Sequence, residues 1–341
     1  VTTIGPWREG DREAILALYR RVFGDAAADA LALRWDWLYV RNPALAGGPP
    51  RIWVVRDGEA VVGQYATMPV RLAVPGAEVD AAWGCDVMLA PELQGQGVGG
   101  PLFRAWDAGC GAAIGLSLTD ASHKLFQKLA WPHIGAVPRF AKPLTDAARA
   151  TFGEGRPSLV SRLSGAMRAI AAPPAAAEPL VAFDARADAL WARVAPRFAF
   201  AVRRDAAYLN WRFLAHPSVR YEALAIPRGD GIAAWAVLRH VPDRDWQVTV
   251  LVDFLADPDD ADATSALLAA VDAAARAAGS AVVRAWALHA GFQGALVRAG
   301  YHAREATLRF VAKVNAVPVP DGYYADTSRW HVTRGDSDAD R

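Results

Sequence analysis

The segment Gln94-Gly95-Gln96-Gly97-Val98-Gly99-Gly100 is where this sequence concentrates its chemistry. Glycines let a backbone approach a ligand closely, and N–H groups freed at the start of a helix make an anion site. A phosphate-bearing ligand is the physical expectation. Upstream, Asp86 stands within the otherwise apolar stretch CDVMLAPE (85–92). A carboxylate buried there holds its proton more tightly and can accept one near neutral pH. The same side chain could instead satisfy backbone or arginine groups. Downstream, Ser122 and His123 open the predicted helix at 121–129, where His123 fits an exposed helix position. Glu92, beside the loop, suits a capping role.

Several ligands use glycine runs, and the surroundings discriminate among them. Gly95-x-Gly97-x-x-Gly100 satisfies the dinucleotide fingerprint literally, with Asp120 where its acidic residue would fall. Yet APELQ separates the preceding strand from the first glycine, and fingerprint loops follow their strand directly. The chain before it reads as helices and an antiparallel meander, not as an opening βαβ unit. No Lys-Ser/Thr pair follows the glycines, which excludes a Walker loop. A purely structural glycine turn is the bland alternative.

The elements that must position these residues follow from periodicity. Asp11 is placed to cap a helix through Phe23, with Ile15, Leu18, Tyr19 and Val22 on one face. A second helix covers 29–40. Residues 51–56 and 59–68 read as a hairpin about Asp57-Gly58, and Pro75-Gly76 turns into a long strand over 79–89. The glycine loop follows, then a helix, a strand at 113–118, a helix at 121–129 and a strand at 134–142. After 143 the periodicity weakens. AAPPAAAEP (171–179) looks like a linker, with a helical segment at 161–170 inside the weak region.

The order of elements then restarts. Helices at 188–194 and 206–214 precede strands at 221–226, 232–241 and 246–256, a helix at 262–278, a strand at 281–288, a helix at 291–299 and a strand at 302–313. Trp37-x5-Pro43 recurs as Trp211-x5-Pro217, offset by 174, and CDVMLAPE recurs as VDFLADPD, setting Asp86 over Asp253 at an offset of 167. Trp131, Arg139 and Phe140 recur as Tyr301, Arg309 and Phe310 at an offset of 170. Collinear matches on matching elements argue for an internal duplication. DPDDADATSAL (257–267) lacks the glycines, so the second copy is degenerate.

Composition agrees with two packed units. The 341 residues are 53% hydrophobic and 21% charged, at about 100–200 residues per domain. Lys+Arg 37 against Asp+Glu 36 leaves a net charge of +1, which removes the global field that would gather nucleic acid or an anionic membrane. Cys85 and Cys110 form neither a disulfide framework nor a metal spacing. No signal-like start and no run of 18 apolar residues occurs, so a cytoplasmic protein without a membrane span or metal is expected. Trp35, Trp37 and Tyr39 could line an acceptor pocket, but their partial repeat favours packing. Asp336, Asp338 and Asp340 are expected to form a solvated terminus.

The loop and its setting resemble the GNAT acyltransferase superfamily, whose signature is Gln/Arg-x-x-Gly-x-Gly/Ala between the fourth strand and the next helix. Here that is Gln94-Gly95-Gln96-Gly97-Val98-Gly99, preceded by VMLAPE and followed downstream by Lys128-Leu129-Ala130-Trp131, which looks like the family's Lys-Leu-Gly-Phe ending. The resemblance carries a motif over about 1–145 and only an order of elements over 181–315. It implies an α+β fold of two GNAT-like domains, each a mixed, mostly antiparallel twisted sheet flanked by helices. The divisions expected are 1–145, a connecting segment 146–180, a degenerate domain 181–315 and a tail 316–341.

The resemblance also implies an activity: transfer of an acyl group from acetyl-CoA or another acyl-CoA to the amine of a small-molecule acceptor. The alternative is a non-catalytic acyl-CoA-binding or assembly protein. Gln94, Gly95, Gln96, Gly97, Val98, Gly99 and Gly100 would take the pyrophosphate, and Met88 and Leu89 the pantetheine arm. Asp86 would be the base, with Ser122 and His123 as further catalytic candidates. The sequence departs from the family at Phe126, where a tyrosine acid often stands, and at Ala130, which replaces a glycine.

Overall fold

The computed structural model describes residues 2–152 and 177–336. The helix anticipated at 161–170 and most of the expected linker lie outside them.

The first run of elements builds around one sheet. Strand β1 (Thr2–Pro6), missed in the sequence because its residues do not alternate, pairs with β2 (Ile52–Asp57). Between them lie helix α1 (Asp11–Phe23) and helix α2 (Asp25–Tyr39). Asp11 is the first helical residue rather than the cap. Gly10 occupies the cap position at φ 96°, and Asp11 instead binds Arg56 and the Arg8 amide. Helix α2 starts four residues earlier than its periodicity suggested, because Gly24 breaks the chain directly after α1. Strands β3 (Ala60–Val74) and β4 (Ala77–Leu89) form the long hairpin about Pro75-Gly76. Helix α3 (Gly99–Ala108), β5 (Ala112–Leu116), helix α4 (Asp120–Lys128) and β6 (His133–Pro143) complete the run, and a short helix α5 (Asp146–Thr151) follows.

The second run repeats the order. It comprises β7 (Glu178–Leu180), α6 (Ala185–Val194), β8 (Phe200–Val202), α7 (Ala206–Leu209), β9 (Glu222–Arg228), β10 (Gly231–Asp243), β11 (Trp246–Ala256), α8 (Ala261–Ala277), β12 (Val282–Trp286), α9 (Ala290–Arg298) and β13 (His302–Val314). A two-residue strand β14 (Trp330–His331) lies near the end. The sequence missed β7, β8 and β14 because segments this short carry no readable alternation.

All these strands join one mixed, mostly antiparallel sheet, ordered β1-β2-β3-β4-β5-β13-β6-β12-β11-β10-β9-β7, with β8 beside β3 and β14 beside β8 off that path. The order exposes an exchange. β13, the last strand of the second run, pairs with β5 of the first, from Phe310↔Leu116 to Val314↔Ala112. β6, the last strand of the first run, pairs with β12 of the second, from Val282↔Pro143 to Trp286↔Arg139. The two exchanged strands then pair with each other. The repeat is therefore built into a shared backbone ladder rather than two sheets touching.

The repeated tryptophans mark the same pseudo-symmetry. Trp37 and Trp211 stack at 5.1 Å with 18° between their planes. Each indole N–H donates to the other's carbonyl, Trp37 to Trp211 at 2.7 Å and Trp211 to Trp37 at 2.8 Å. Burying a tryptophan without a partner for its N–H is costly, and reciprocity removes that cost on both sides. The expectation that these rings pack rather than line a pocket holds. Cores flank the sheet on two faces: α1 and α2 cover one in the first run. On the other, α3 and α4 enclose Tyr65, Phe103, Trp106, Phe126 and Trp131.

Candidate functional site

In the first run, β4 and β5 are parallel and pair only over Ala81–Trp83 with Ala112–Ile114. β4 continues to Leu89 and β5 to Leu116 without further pairing between them, so the two strands part. The parting begins at a bulge. Ala66 pairs with Cys85 and Gln64 with Met88, which leaves Asp86 and Val87 opposite the single residue Tyr65. Asp86 takes φ 45°, a left-handed conformation that redirects its side chain and loosens the ladder. Met88 is buried beyond the bulge, whereas Val87 is 36% exposed.

Asp86 is buried and faces α1 and α2. The Tyr19 hydroxyl donates to its Oδ1 at 2.9 Å, the Tyr39 hydroxyl to its Oδ2 at 3.1 Å, and the Gln64 amide to its backbone carbonyl at 3.0 Å. Burial, followed by the Asp86 charge, pushes the Tyr39 phenol well above its ordinary range. Tyr39 therefore stays a neutral donor. The sequence singled out Asp86 but not its two partners. The readable signal was that Tyr19 and Tyr39 both lie on apolar helix faces, where a phenol needs an acceptor.

The glycine loop lies between β4 and α3. Gly95 and Gly97 take φ 79° and 83°, so any side chain there would be strained although the space beside each is open. Gln94 donates from its side-chain amide to the Leu89 carbonyl, and Gln96 to the Glu92 carbonyl, which ties the loop to the end of β4. Glu92 pairs with Arg21 at 2.5 Å; its own backbone N–H and then Arg21 hold its carboxyl below the usual range. No side-chain hydrogen bond caps the start of α3, where Val98 is the cap residue and Gly99 and Gly100 open the helix. Their N–H groups belong to the first turn, which has no intrahelical partners, and so suit an anion. Arg104, one turn later, sets its Nη1 3.6 Å from where a Gly100 Cβ would stand. This cation beside the loop was overlooked in the sequence, where the Gly100–Arg104 spacing of one helical turn was the available signal.

Ser122 and His123 are half-buried on α4, which packs on the opposite sheet face from α1 and α2. The Thr119 hydroxyl donates to Ser122 Oγ at 3.1 Å and accepts from the Ser122 N–H, so Thr119 and Ser122 serve the helix cap. The structure thus groups Asp86 with Tyr19 and Tyr39, while Ser122 and His123 stand at the start of α4. Phe126 is buried against Phe103 at 5.1 Å and Trp131 at 4.7 Å, within an apolar cluster. Asp120, the acidic residue of the dinucleotide reading, pairs with Arg309 at 2.5 Å, and the Arg309 hydrogen bond lowers its pKa.

The second run shows the same framework filled. β11 pairs with β12 only over Val248–Leu251 and Val282–Ala285 and continues to Ala256, with a bulge beside Asp253. Here Asp253 binds the buried Arg204 guanidinium at 3.1 Å and accepts from the Thr333 hydroxyl at 2.7 Å. Arg204 also donates to Asp336 at 2.7 Å. The strap around β14 crosses between the parting strands: Leu288 N–H donates to the Val332 carbonyl, and His331 Nε2 lies 3.0 Å from the Phe254 carbonyl. Asp336 is therefore buried on a cation rather than part of a solvated terminus; Asp338 and Asp340 lie outside the described residues. Where α3 is uncapped, α8 is capped by Asp260, whose carboxylate accepts from the Ala263 N–H at 2.9 Å. A side-chain carboxylate stands where the first run leaves room for an anion.

Among the described residues no His, Cys, Asp or Glu cluster that could hold a metal ion forms, and no helix is long and apolar enough to cross a membrane. Residues 3–112 match a family model described as an acetyltransferase (GNAT) domain. No curated protein matches the chain by sequence. Among solved structures, a GCN5-related N-acetyltransferase from Anabaena variabilis is similar with a TM-score of 0.63 at 13% identity, over 92% of this chain and 73% of its own. One from Kribbella flavida has a TM-score of 0.59 at 19% identity, over 93% and 71%. Saccharomyces cerevisiae N-myristoyltransferase with bound myristoyl-CoA has a TM-score of 0.54 at 14% identity, over 91% and 82%. The fold is that of the GNAT proteins across most of the chain.

Proposed function

We propose that this chain, whose residues 3–112 match a GNAT acetyltransferase domain, is a cytoplasmic N-acyltransferase acting on the amine of a small-molecule acceptor. The carrying observation is the contrast between the two runs. The first keeps parted strands, a glycine loop and an uncapped helix start, whereas the second is filled by its own side chains and strap. One acyl-CoA, in the simplest case acetyl-CoA, would bind per chain. Its pyrophosphate would rest on backbone N–H groups from Gly95 to Gly100, with Arg104 alongside and the pantetheine arm near Met88 and Leu89. The proposed divisions remain 1–145 and 181–315, joined by 146–180 and followed by 316–341, with their last strands exchanged.

Acyl-CoA supplies a thioester carbonyl that the acceptor amine attacks directly. An ammonium cannot attack, so a base must first take its proton. Asp86 is assigned that role as the buried carboxylate on the bulge where β4 and β5 begin to part, facing α1 and α2. With phenylalanine at 126, the leaving thiolate would be met by water or by Ser122 or His123, which stand at the start of α4. Phe126 is also the observation that favours the alternative, an acyl-CoA-binding protein without turnover. Calorimetric titration with acetyl-CoA, then thiol release over a panel of small amines, separates the two. Binding with turnover is expected. Binding without turnover on any amine favours the alternative, and no binding overturns both.

A further inference from the structure

We infer that Tyr19 and Tyr39 are positioning residues that hold both oxygens of Asp86 and so aim its carboxylate for accepting a proton. The inference rests on the reading of Asp86 as the base. A carboxylate on a left-handed bulge residue has freedom to rotate; two donors from different helices remove it, one on each oxygen. Both donors are phenols in apolar helix–sheet packing, 6% and 1% exposed for Tyr19 and Tyr39. A phenol hydroxyl is a directional donor that fixes the carboxylate oxygen it binds.

The internal repeat supplies the comparison. Asp253 occupies the matching strand position, but there a buried guanidinium and the Thr333 hydroxyl hold it, and Gly335 lies against its Cβ. One bulge carries a carboxylate held by phenol hydroxyls from α1 and α2; its counterpart carries one held by a buried guanidinium under a strap. Among the groups facing Asp86 are Tyr19 of α1, Tyr39 of α2 and Gln64 of β3. Arg34 of α2 and the adjacent Cys85 act electrostatically on Tyr39, Arg34 favouring the phenolate and Cys85 opposing it.

The test uses Tyr19→Phe and Tyr39→Phe in the full chain, each preserving the ring. Losing a donor destabilises the ionised carboxylate, so the acid limb of kcat/KM for amine acylation should move up by about one pH unit in each variant. Acetyl-CoA affinity should stay unchanged. The same shift should appear without substrate in the Asp86 carboxyl titration followed by carbon-13 NMR, with Asp86→Asn identifying the resonance. Tyr301→Phe, a buried tyrosine beside Asp272 in the second run, serves as the structural control and should lower the Tm without moving the limb. An unmoved Asp86 titration in both variants overturns the inference. Wild-type kcat/KM in Asp86→Asn would instead overturn the reading of Asp86 as base. If Tyr39→Phe does not fold, Tyr19→Phe alone decides.

Discussion

Gly97 shows how much one residue's freedom can carry. At φ 83° it accommodates a turn that a side chain would strain, and it faces open space where a pyrophosphate would lie. Gly97→Glu adds bulk, strain and a negative charge there, so acetyl-CoA binding measured by calorimetry should be lost while the circular dichroism spectrum is kept. Arg104→Ala removes only the flanking cation. Acetyl-CoA affinity should then fall by about fivefold, close to the ~1 kcal/mol of one exposed charge-assisted contact. Unchanged affinity in both variants would place the cofactor elsewhere. Asp86 was visible in the sequence as a polar residue in an apolar strand. Its orientation was not, because the left-handed bulge that turns it toward α1 and α2 leaves no mark on hydrophobic periodicity.

At the scale of elements, the two runs show what a glycine contributes. α4 and α9 end alike: the Leu129, Ala130 and Trp131 N–H groups bond back to Leu125, Gln127 and Phe126, and those of Ala299, Gly300 and Tyr301 to Ala295, Val297 and Leu296. The second residue after each helix is left-handed, at φ 90° for Gly300 and φ 54° for Ala130. Alanine is strained there and glycine is not. Ala130→Gly should therefore stabilise the protein by about 0.5–1 kcal/mol, the left-handed penalty less the entropy that glycine adds to the unfolded chain. Chemical denaturation measures it, and a lower midpoint at unchanged slope would contradict the assignment. The substitution at Ala130 was noted in the sequence as a departure from a motif. The structure turns it into a backbone cost.

At the scale of the whole molecule, the strap over 330–336 ties the parts together. β14 pairs with β8, β8 pairs with β3 of the first run, and Asp336 and Thr333 seal the second cleft. Two buried histidines sit in this region. Burial holds His289 below its usual pKa, and burial with Arg204 and His289 nearby holds His331 well below it. With folded values depressed, their contribution is fully present above about pH 6.5, the ordinary histidine value, and is lost as pH falls toward the folded values. Below pH 6.5 the unfolded chain takes up protons that the folded chain refuses. Stability should therefore fall by up to about 1.4 kcal/mol per pH unit for each histidine. Thermal melts from pH 8 to 5 should show the decline, and His331→Gln should flatten it. An equally steep decline in that variant would remove His331 as a cause.

Local features of this protein could be read without coordinates: most helices and strands, the repeat, the glycine loop and the carboxylate before it. Each depends on patterns within a few residues or on matches along the chain, and the order of residues records those directly. The exchange of β6 and β13, the reciprocal Trp37–Trp211 pair, the two tyrosines on Asp86 and the burial of Asp336 depended on the folded chain. Each joins residues distant in sequence, through a register or an approach that no local periodicity encodes. Sequence reading anticipated two runs with one order of elements and placed the glycine loop in the first. Folding left the first cleft between parted strands and closed the second, because a buried Arg204 had to be neutralised and Asp253 and Asp336 were the carboxylates that reached it.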